Sequence, residues 1–488
     1  MRQSIGALFS LSRDRWRMSP TRFCDRQRSA RIAAVWWSWG TSRVAGTACG
    51  VLRERWGQTM VPQPAPTAGD TAWFVHDRFG LFIHWGLYAL PARHEWVKQR
   101  ERIRDEEYQP YFDHFEPDLY DPVAWARATK AAGMRYVVLT TKHHEGFCLW
   151  DSALTDYKAP NTPIGKDLLR PFVEAFRAEG LRVGFYHSLI DWHHPAFPVD
   201  GVHSQRDDEA FKAAHAGRDI ARYREYLHGQ VRELLTDYGP IDIIWFDFSY
   251  PDRTWGGKGR DDWGSEALLK LVRELQPGII VNDRLDLPGS ADILTPEQYQ
   301  PRGWMERDGQ PVVWEACQTL NGSWGYDRDN LDWKTPDLLV RLLIDSVAKG
   351  GNLLLNVGPN GRGEFEPRAA ATLAAIGAWT RLHGRAIYGC TASDFTPPPD
   401  CRFTQHGNRL YLHLFAWPFR HVHLDGFAGR VAYAQLLSDA SEIKLRENDP
   451  HQQAQNTAMR EVAGTLTLEL PIVRPDVLVP VIEIFLKD

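Results

Sequence analysis

Asp121-Pro122-Val123-Ala124-Trp125-Ala126-Arg127-Ala128-Thr129-Lys130-Ala131-Ala132-Gly133-Met134-Arg135-Tyr136-Val137-Val138-Leu139-Thr140 spells out one complete helix-to-strand unit. An aspartate accepts hydrogen bonds from the free N–H groups that open a helix, proline is preset for the first helical position, and glycine closes a helix in a left-handed conformation. Asp121, Pro122 and Gly133 therefore predict a helix over 122–132. Tyr136-Val137-Val138-Leu139-Thr140 follows as a run of aromatic, β-branched and apolar residues, the composition of a buried strand.

The same alternation recurs on both sides of this unit. Strands are predicted at Gly80-Leu81-Phe82-Ile83-His84, Arg182-Val183-Gly184-Phe185-Tyr186, 241–248, Ile279-Ile280-Val281-Asn282, Ile293-Leu294-Thr295, Val312-Val313-Trp314-Glu315 and 352–357. Helices are predicted over 168–179, 220–235, 265–275, 336–348 and 367–382. Eight strands within about 310 residues, alternating with helices, indicate an α/β fold, a (β/α)8-like barrel over 66–389. The interval 284–295 is too short for a full helix after the fifth strand, so the barrel is expected to be irregular there. Beyond Gly389 the chain changes to short alternating runs such as Leu410-Tyr411-Leu412-His413-Leu414 and Val481-Ile482-Glu483-Ile484-Phe485. These predict a C-terminal antiparallel β-sandwich over 391–488.

The chain has 488 residues, 43 % hydrophobic and 24 % charged, with 20 Trp, 16 Tyr and 22 Phe, which suffices for a large core and excludes a disordered polymer. With 57 Lys and Arg against 62 Asp and Glu the formal charge is −5, so no global field draws the protein to nucleic acid or an anionic membrane. Its six cysteines are scattered without a CxxC pair, which fits neither a disulfide framework nor a zinc module. No apolar run approaches the roughly 20 residues that span a bilayer. Residues 1–59 stand apart: eleven Arg, no Lys and three acids give a local charge of +8, beside the cluster Trp36-Trp37-Ser38-Trp39. This basic N-terminal extension is expected to lie outside the fold, with Met60 as the working initiator. A nucleic-acid arm would mix Lys with Arg and avoid so many tryptophans. The apolar stretch 32–39 has no convincing signal cleavage site, so a cytoplasmic protein is expected.

In a barrel of this kind the active site lies where the strands end, so polar residues that close the apolar runs are the functional candidates. They are His84 and Trp85, His143 and His144, Tyr186 and His187 before Asp191-Trp192-His193-His194, Trp245 and Asp247, Arg284, Glu297 and Glu315. Carboxylates, histidines and tryptophan faces without a glycine-rich phosphate loop suit a sugar ring. Asp247 closes an apolar run, where a carboxylate is costly to bury unless it has partners or work to do. Asp242, at the other end of that run, falls on the opposite face of the barrel.

Arg78-Phe79-Gly80-Leu81-Phe82-Ile83-His84-Trp85-Gly86 resembles the opening barrel strand of the α-L-fucosidases of glycoside hydrolase family 29. The resemblance continues through Glu95-Trp96, Thr141-Lys142-His143-His144-Glu145-Gly146-Phe147, Ile244-Trp245-Phe246-Asp247, Asn282-Asp283-Arg284, Thr295-Pro296-Glu297, Ser323-Trp324-Gly325-Tyr326 and Gly350-Gly351-Asn352-Leu353-Leu354-Leu355-Asn356-Val357-Gly358-Pro359. It covers roughly residues 70–390, and it is the order and spacing of the motifs that make it specific. It implies an exo-acting retaining α-L-fucosidase that removes terminal α-L-fucose from glycans or small fucosides through a covalent fucosyl-enzyme intermediate. By the same resemblance Asp247 is the nucleophile and Glu297 the general acid/base. His84, Glu95, Trp96, His143, His144, Tyr186, Trp245 and Arg284 would bind the sugar, with no metal and no cofactor.

Each role has a physical condition attached. A retaining pair needs its carboxyl groups about 5 to 5.5 Å apart. The acid must also keep its proton near neutral pH, here by burial and by the neighbouring Asp247 charge. Glu315 is the competing acid/base. Adjacent strand residues point to opposite sides, so His143 and His144 both reach a sugar only if the chain has already turned into a loop. Trp324 and Tyr326 read as core aromatics and are set aside. Two other functions stay open: a metal-dependent barrel hydrolase and a non-catalytic carbohydrate-binding protein. Binuclear metal sites usually place two histidines one residue apart on the first strand, against His84-Trp85-Gly86 here, and the retained Asp247 and Glu297 oppose a mere binder.

Overall fold

A computed structural model describes residues 63–447 and 462–487, so the basic extension at 1–59 lies outside the described residues. The helix α1 (Pro122–Ala131) begins as its residues dictate, the Asp121 carboxylate accepting from the N–H groups of Val123 and Ala124 at 2.9 Å each. Gly133 follows at φ 90°, and the chain enters a strand at Tyr136.

Seven strands form one parallel sheet: β1 (Phe79–Ile83), β2 (Tyr136–Lys142), β3 (Arg182–Ser188), β4 (Ile243–Asp247), β5 (Ile280–Val281), β6 (Glu315–Thr319) and β7 (Asn352–Val357). Their order is β5-β4-β3-β2-β1-β7-β6. The two edges meet through residues 293–297, where Ile293 pairs with Asn282 on one side while Leu294 and Glu297 pair with Trp314 and Cys317 on the other. This eighth strand, reduced to bridges, completes the (β/α)8-like barrel. A single 3-10 turn, Asp283–Leu285, stands where a full helix would follow β5, the irregularity that the short interval predicts. The helices α2 (Leu169–Ala178), α3 (Ile220–Asp237), α4 (Ser265–Leu275), α5 (Pro336–Val347) and α6 (Pro367–His383) fall where the sequence places them. Every residue of β1, β2, β4, β6 and β7 is buried, as expected of a parallel sheet covered on both faces, and β1 and β4 read as near-continuous apolar runs rather than alternating ones.

One strand departs from expectation. The run predicted at 312–315 continues instead as β6, so Glu315 opens its strand and does not close it. Ala316-Cys317-Gln318-Thr319 has little β character of its own; pairing with β7 holds it extended, a tertiary override of local propensity.

The C-terminal region builds β8 (Cys401–His406), β9 (Arg409–Leu414), β10 (His421–Leu424), β11 (Val431–Leu436), β12 (Lys444–Glu447), β13 (Leu466–Glu469) and β14 (Val481–Leu486). They form two antiparallel sheets, β8-β9-β14-β11 and β10-β13-β12, with Leu410, Leu412, Leu468 and Ile484 in the core of this sandwich. The Trp379 indole N–H of α6 donates to the Val479 carbonyl at 2.8 Å, and Arg402 Nε reaches Asp345 of α5 at 2.7 Å, so the sandwich is anchored on barrel helices. Among the described residues no helix is long and apolar enough to cross a membrane.

Candidate active site

The ends of β1 to β4 and the turn at 297–298 open on a cavity of about 340 Å³, at the small end of the range of about 300 to 1,000 Å³ usual for small-ligand sites. Nine of the ten expected site residues line it: His84, Glu95, Trp96, His143, His144, Tyr186, Trp245, Asp247 and Glu297. The tenth, Arg284, joins through its partners. Its Nη1 lies 3.5 Å from Asp247 Oδ1 and its Nη2 donates to Glu297 Oε2 at 3.1 Å. Thr295 fixes the guanidinium from behind, and its plane lies 4.9 Å from the Trp245 ring centre. One cation thus spans the two carboxylates.

Asp247 also accepts from the Tyr186 hydroxyl at 2.7 Å, and Tyr186 stacks on Trp245 at 5.7 Å. Burial pushes this carboxyl up to about 6; Arg284 opposes the rise, the Glu297 charge adds to it, and the Tyr186 hydrogen bond opposes it. A reaction that needs the Asp247 carboxylate is therefore expected to lose kcat/KM as pH falls through about 6. Arg284→Met removes the opposing cation. Its acid limb should move to higher pH, with kcat/KM at pH 6 falling by about tenfold beyond any loss at pH 8. A pH profile of both proteins checks this, and an unmoved limb would mean that Arg284 does not act on Asp247.

Glu297 does not meet the condition of burial, because its side chain is 40 % exposed at the cavity mouth. The rest of the substrate would have to cover it. Glu315 lies elsewhere. It pairs with Asn352, the first residue of β7, and accepts from the hydroxyl of Tyr136, the first residue of β2, which places it at the floor of the barrel away from the cavity. Burial pushes Glu315 up to about 8, against the opposing Tyr136 hydrogen bond. The native state then keeps a proton that the unfolded chain releases near 4.5, so stability falls as pH climbs from about 4.5 to about 8 and stays reduced above. Glu315→Gln should leave turnover within about twofold of wild type, a surface-like effect on function. Its Tm relative to wild type should rise between pH 5 and pH 9, as thermal melts across that range would record.

His84 and His144 are held neutral by burial and serve as donors and acceptors. His84 Nδ1 meets Asn356 Oδ1 at 2.7 Å, while Asn356 Nδ2 donates to the Trp324 carbonyl at 2.6 Å. That orientation of the amide puts the proton on Nδ1 and leaves His84 Nε2 as an acceptor. Burial, helped by His143, holds His84 down at about 3. His144 Nδ1 lies 2.6 Å from Ser188 Oγ, which itself donates to the Ile190 carbonyl, so His144 Nε2 is also a bare acceptor, 3.7 Å from Asp247 Oδ2. β2 ends at Lys142, so His143 and His144 sit in the loop beyond it with ring centres 4.1 Å apart, and both reach the cavity.

Glu95 is buried. Burial pushes its carboxyl up, but His94 at 2.9 Å and the Gly325 N–H at 2.8 Å outweigh that and hold it at about 2. Each of the three carboxylates adjoins a non-glycine residue in left-handed backbone: His94 at φ 85°, Phe248 at φ 76° and Gln298 at φ 50°. Such conformations cost of order 1 to 3 kcal/mol each and persist where the surroundings dictate a side-chain direction. All three of these residues line the cavity, and nothing in their identities announces it. Trp324, set aside as a core aromatic, lines it too, with its ring 5.1 Å from His84. The loop after β3 behaves differently: Asp191 pairs with Lys142, His193 stacks on Tyr157 and His194 on Tyr226, so these side chains pack against the framework.

Among the described residues no group of three or more His, Cys, Asp and Glu is arranged to hold a metal ion. A parallel barrel that gathers two carboxylates, histidines and indole faces at one sugar-sized cavity is a glycoside hydrolase. The chain belongs to the alpha-L-fucosidase family, whose model matches residues 61–385. It is similar to the solved alpha-L-fucosidase isoenzyme 1 from Paenibacillus thiaminolyticus, with 48 % identity, 86 % of this chain and 99 % of that one covered, and a TM-score of 0.80. A Bacteroides thetaiotaomicron alpha-L-fucosidase solved as a trapped covalent intermediate with 2-fluoro-fucosyl fluoride is 27 % identical over 88 % of this chain and 98 % of that one, with a TM-score of 0.74. The tissue alpha-L-fucosidase of Mus musculus is 31 % identical over 68 % of this chain and 73 % of its own length.

Proposed function

We propose that the protein hydrolyses terminal α-L-fucosyl units of glycans or small fucosides by double displacement, with Asp247 as nucleophile and Glu297 as acid/base. The observation that carries this reading is the single Arg284 guanidinium touching both carboxylates at the cavity. One guanidinium reaching both carboxylates is compatible with the about 5 to 5.5 Å spacing of a retaining pair. In the first step an Asp247 oxygen bonds to the anomeric carbon while the glycosidic oxygen takes the Glu297 proton and leaves. In the second, Glu297 accepts a proton from water, whose oxygen displaces Asp247 and releases fucose with retained configuration.

Sugar recognition draws on groups that are buried without a partner. Among the described residues His144 Nε2 and the Trp245 indole N–H have no hydrogen-bond partner, and such groups are expensive unless a ligand satisfies them. The former would accept from a sugar hydroxyl, as would His84 Nε2, and the latter would donate. The Phe82 ring facing the cavity suits the methyl group of a 6-deoxy sugar. A cavity of about 340 Å³ with an open mouth takes one terminal sugar, hence the exo action. A cytoplasmic location belongs to this reading and is supported by the buried free thiols of Cys148, Cys317, Cys390 and Cys401.

The test is hydrolysis of 4-nitrophenyl α-L-fucoside beside a panel of other aryl glycosides, with EDTA present and the first-formed sugar anomer followed by NMR. Release of α-fucose from the fucoside alone is expected. Turnover of a different glycoside, initial release of the β-anomer, or loss of activity with the chelator would each refute the reading.

A further inference from the structure

Between residues 93 and 104 the chain carries five Lys and Arg side chains, and four of them close on an acid. Arg93 meets Glu101 at 2.7 Å, Lys98 meets Asp105 at 2.7 Å, Arg102 meets Asp207 at 2.6 Å and Arg104 meets Asp208 at 3.5 Å. The fifth, Arg100, is exposed, its guanidinium has no acid and no hydrogen-bond acceptor among the described residues, and it is the one that lines the cavity. Its position is fixed by backbone. The Arg100 N–H donates to the Trp96 carbonyl at 2.9 Å, one turn earlier in the short helix Val97–Arg100, so both side chains leave on the same face. Trp96 in turn packs on His144 at 4.9 Å and on Phe248 at 5.3 Å, which makes it part of the cavity wall.

We infer that Arg100 reads negative charge on the departing part of the substrate, so that the protein favours fucosides whose neighbouring unit carries a carboxylate or a sulfate. The inference rests on the fucosidase reading and extends it to the aglycone. Phe82 and His84 occupy the buried end of the cavity, while Arg100 is exposed at its mouth. A terminal sugar that fills the buried end puts its glycosidic oxygen beside Asp247 and Glu297 and sends the rest of the substrate out past the mouth. A guanidinium without a partner there gives up no protein contact when it meets a carboxylate or sulfate, and its planar fork matches either group. Neutral aglycones gain nothing from it.

The experiment compares 3-carboxyphenyl and 3-carbamoylphenyl α-L-fucosides, which differ in charge and little in shape, on wild type and on Arg100→Gln. The ratio of kcat/KM for the charged to the neutral substrate, divided by the same ratio in the variant, cancels differences in leaving-group reactivity. At low salt this double ratio is expected to be about fivefold, the size of one exposed charge pair, carried by KM, and to shrink toward one at high salt. Arg100→Glu should discriminate further against the charged substrate than Arg100→Gln does. A double ratio of one, or one that salt does not change, overturns the inference while turnover of the neutral substrate still supports the fucosidase reading. Failure of wild type to cleave either fucoside removes that reading and the inference with it.

Discussion

Asp247→Ala should lower kcat on 4-nitrophenyl α-L-fucoside by about 10⁴-fold or more while KM changes by only a few-fold, equivalent to some 5 kcal/mol of transition-state stabilisation. The loss follows from what the carboxylate alone supplies, an oxygen that bonds to the anomeric carbon. Its partners stay in place. The Tyr186 hydroxyl, 2.7 Å from Asp247, and Arg284, 3.5 Å away, remain anchored by their own packing and by Thr295, so the variant should keep its fold and its affinity for the sugar. The cavity left by the side chain is open to a small anion. Azide should therefore restore turnover in Asp247→Ala by attacking the anomeric carbon directly and giving the fucosyl azide of inverted configuration. Near-normal turnover in a folded Asp247→Ala protein would remove Asp247 from the chemistry.

Glu297→Ala should behave differently, and the difference is diagnostic. Protonation of the leaving oxygen contributes typically 10² to 10⁴-fold, so a fucosyl disaccharide should lose about that much kcat/KM. The 4-nitrophenolate group departs without a proton, so kcat/KM for the aryl fucoside should fall by only about tenfold, leaving the second step slow and the covalent intermediate populated. Azide should then release a fucosyl azide of retained configuration, the opposite outcome to that in Asp247→Ala. Because the Glu297 side chain is 40 % exposed and Arg284 is its one ion-pair partner among the described residues, its removal should not unfold the protein. Steady-state kinetics on the two substrate classes, with the azide products identified by NMR, check both variants together. An equal loss on both classes would move the acid/base role to another group.

Much of this was legible in the residues. The Asp121 cap, the Gly133 stop and the run at 136–140 specify local geometry through spacing alone, and the structure builds the unit they describe. Asp247 stood out because a carboxylate that ends an apolar strand is unusual chemistry whatever surrounds it. Glu315 shows where such reading stops. Its place depends on which of two adjoining stretches pairs with β7, and a strand displaced along the chain carries its first residue from one end of the barrel to the other. The left-handed backbone at His94, Phe248 and Gln298 was likewise invisible, since the identity of these residues does not specify it. Trp324 could have been found: it stands in a quoted motif beside Gly325, whose N–H and its own both donate to Glu95.

The central claim is that fucose becomes covalently attached to Asp247. Incubation with 2-deoxy-2-fluoro-α-L-fucosyl fluoride, whose fluorine slows the second step more than its fluoride leaving group slows the first, followed by proteolysis and mass spectrometry, tests it most directly. The account predicts one fluorofucosyl group per chain, on the peptide that contains Asp247, with inactivation in step with labelling. A label on Glu297, Glu315 or any other side chain, or full activity with no label, would contradict it.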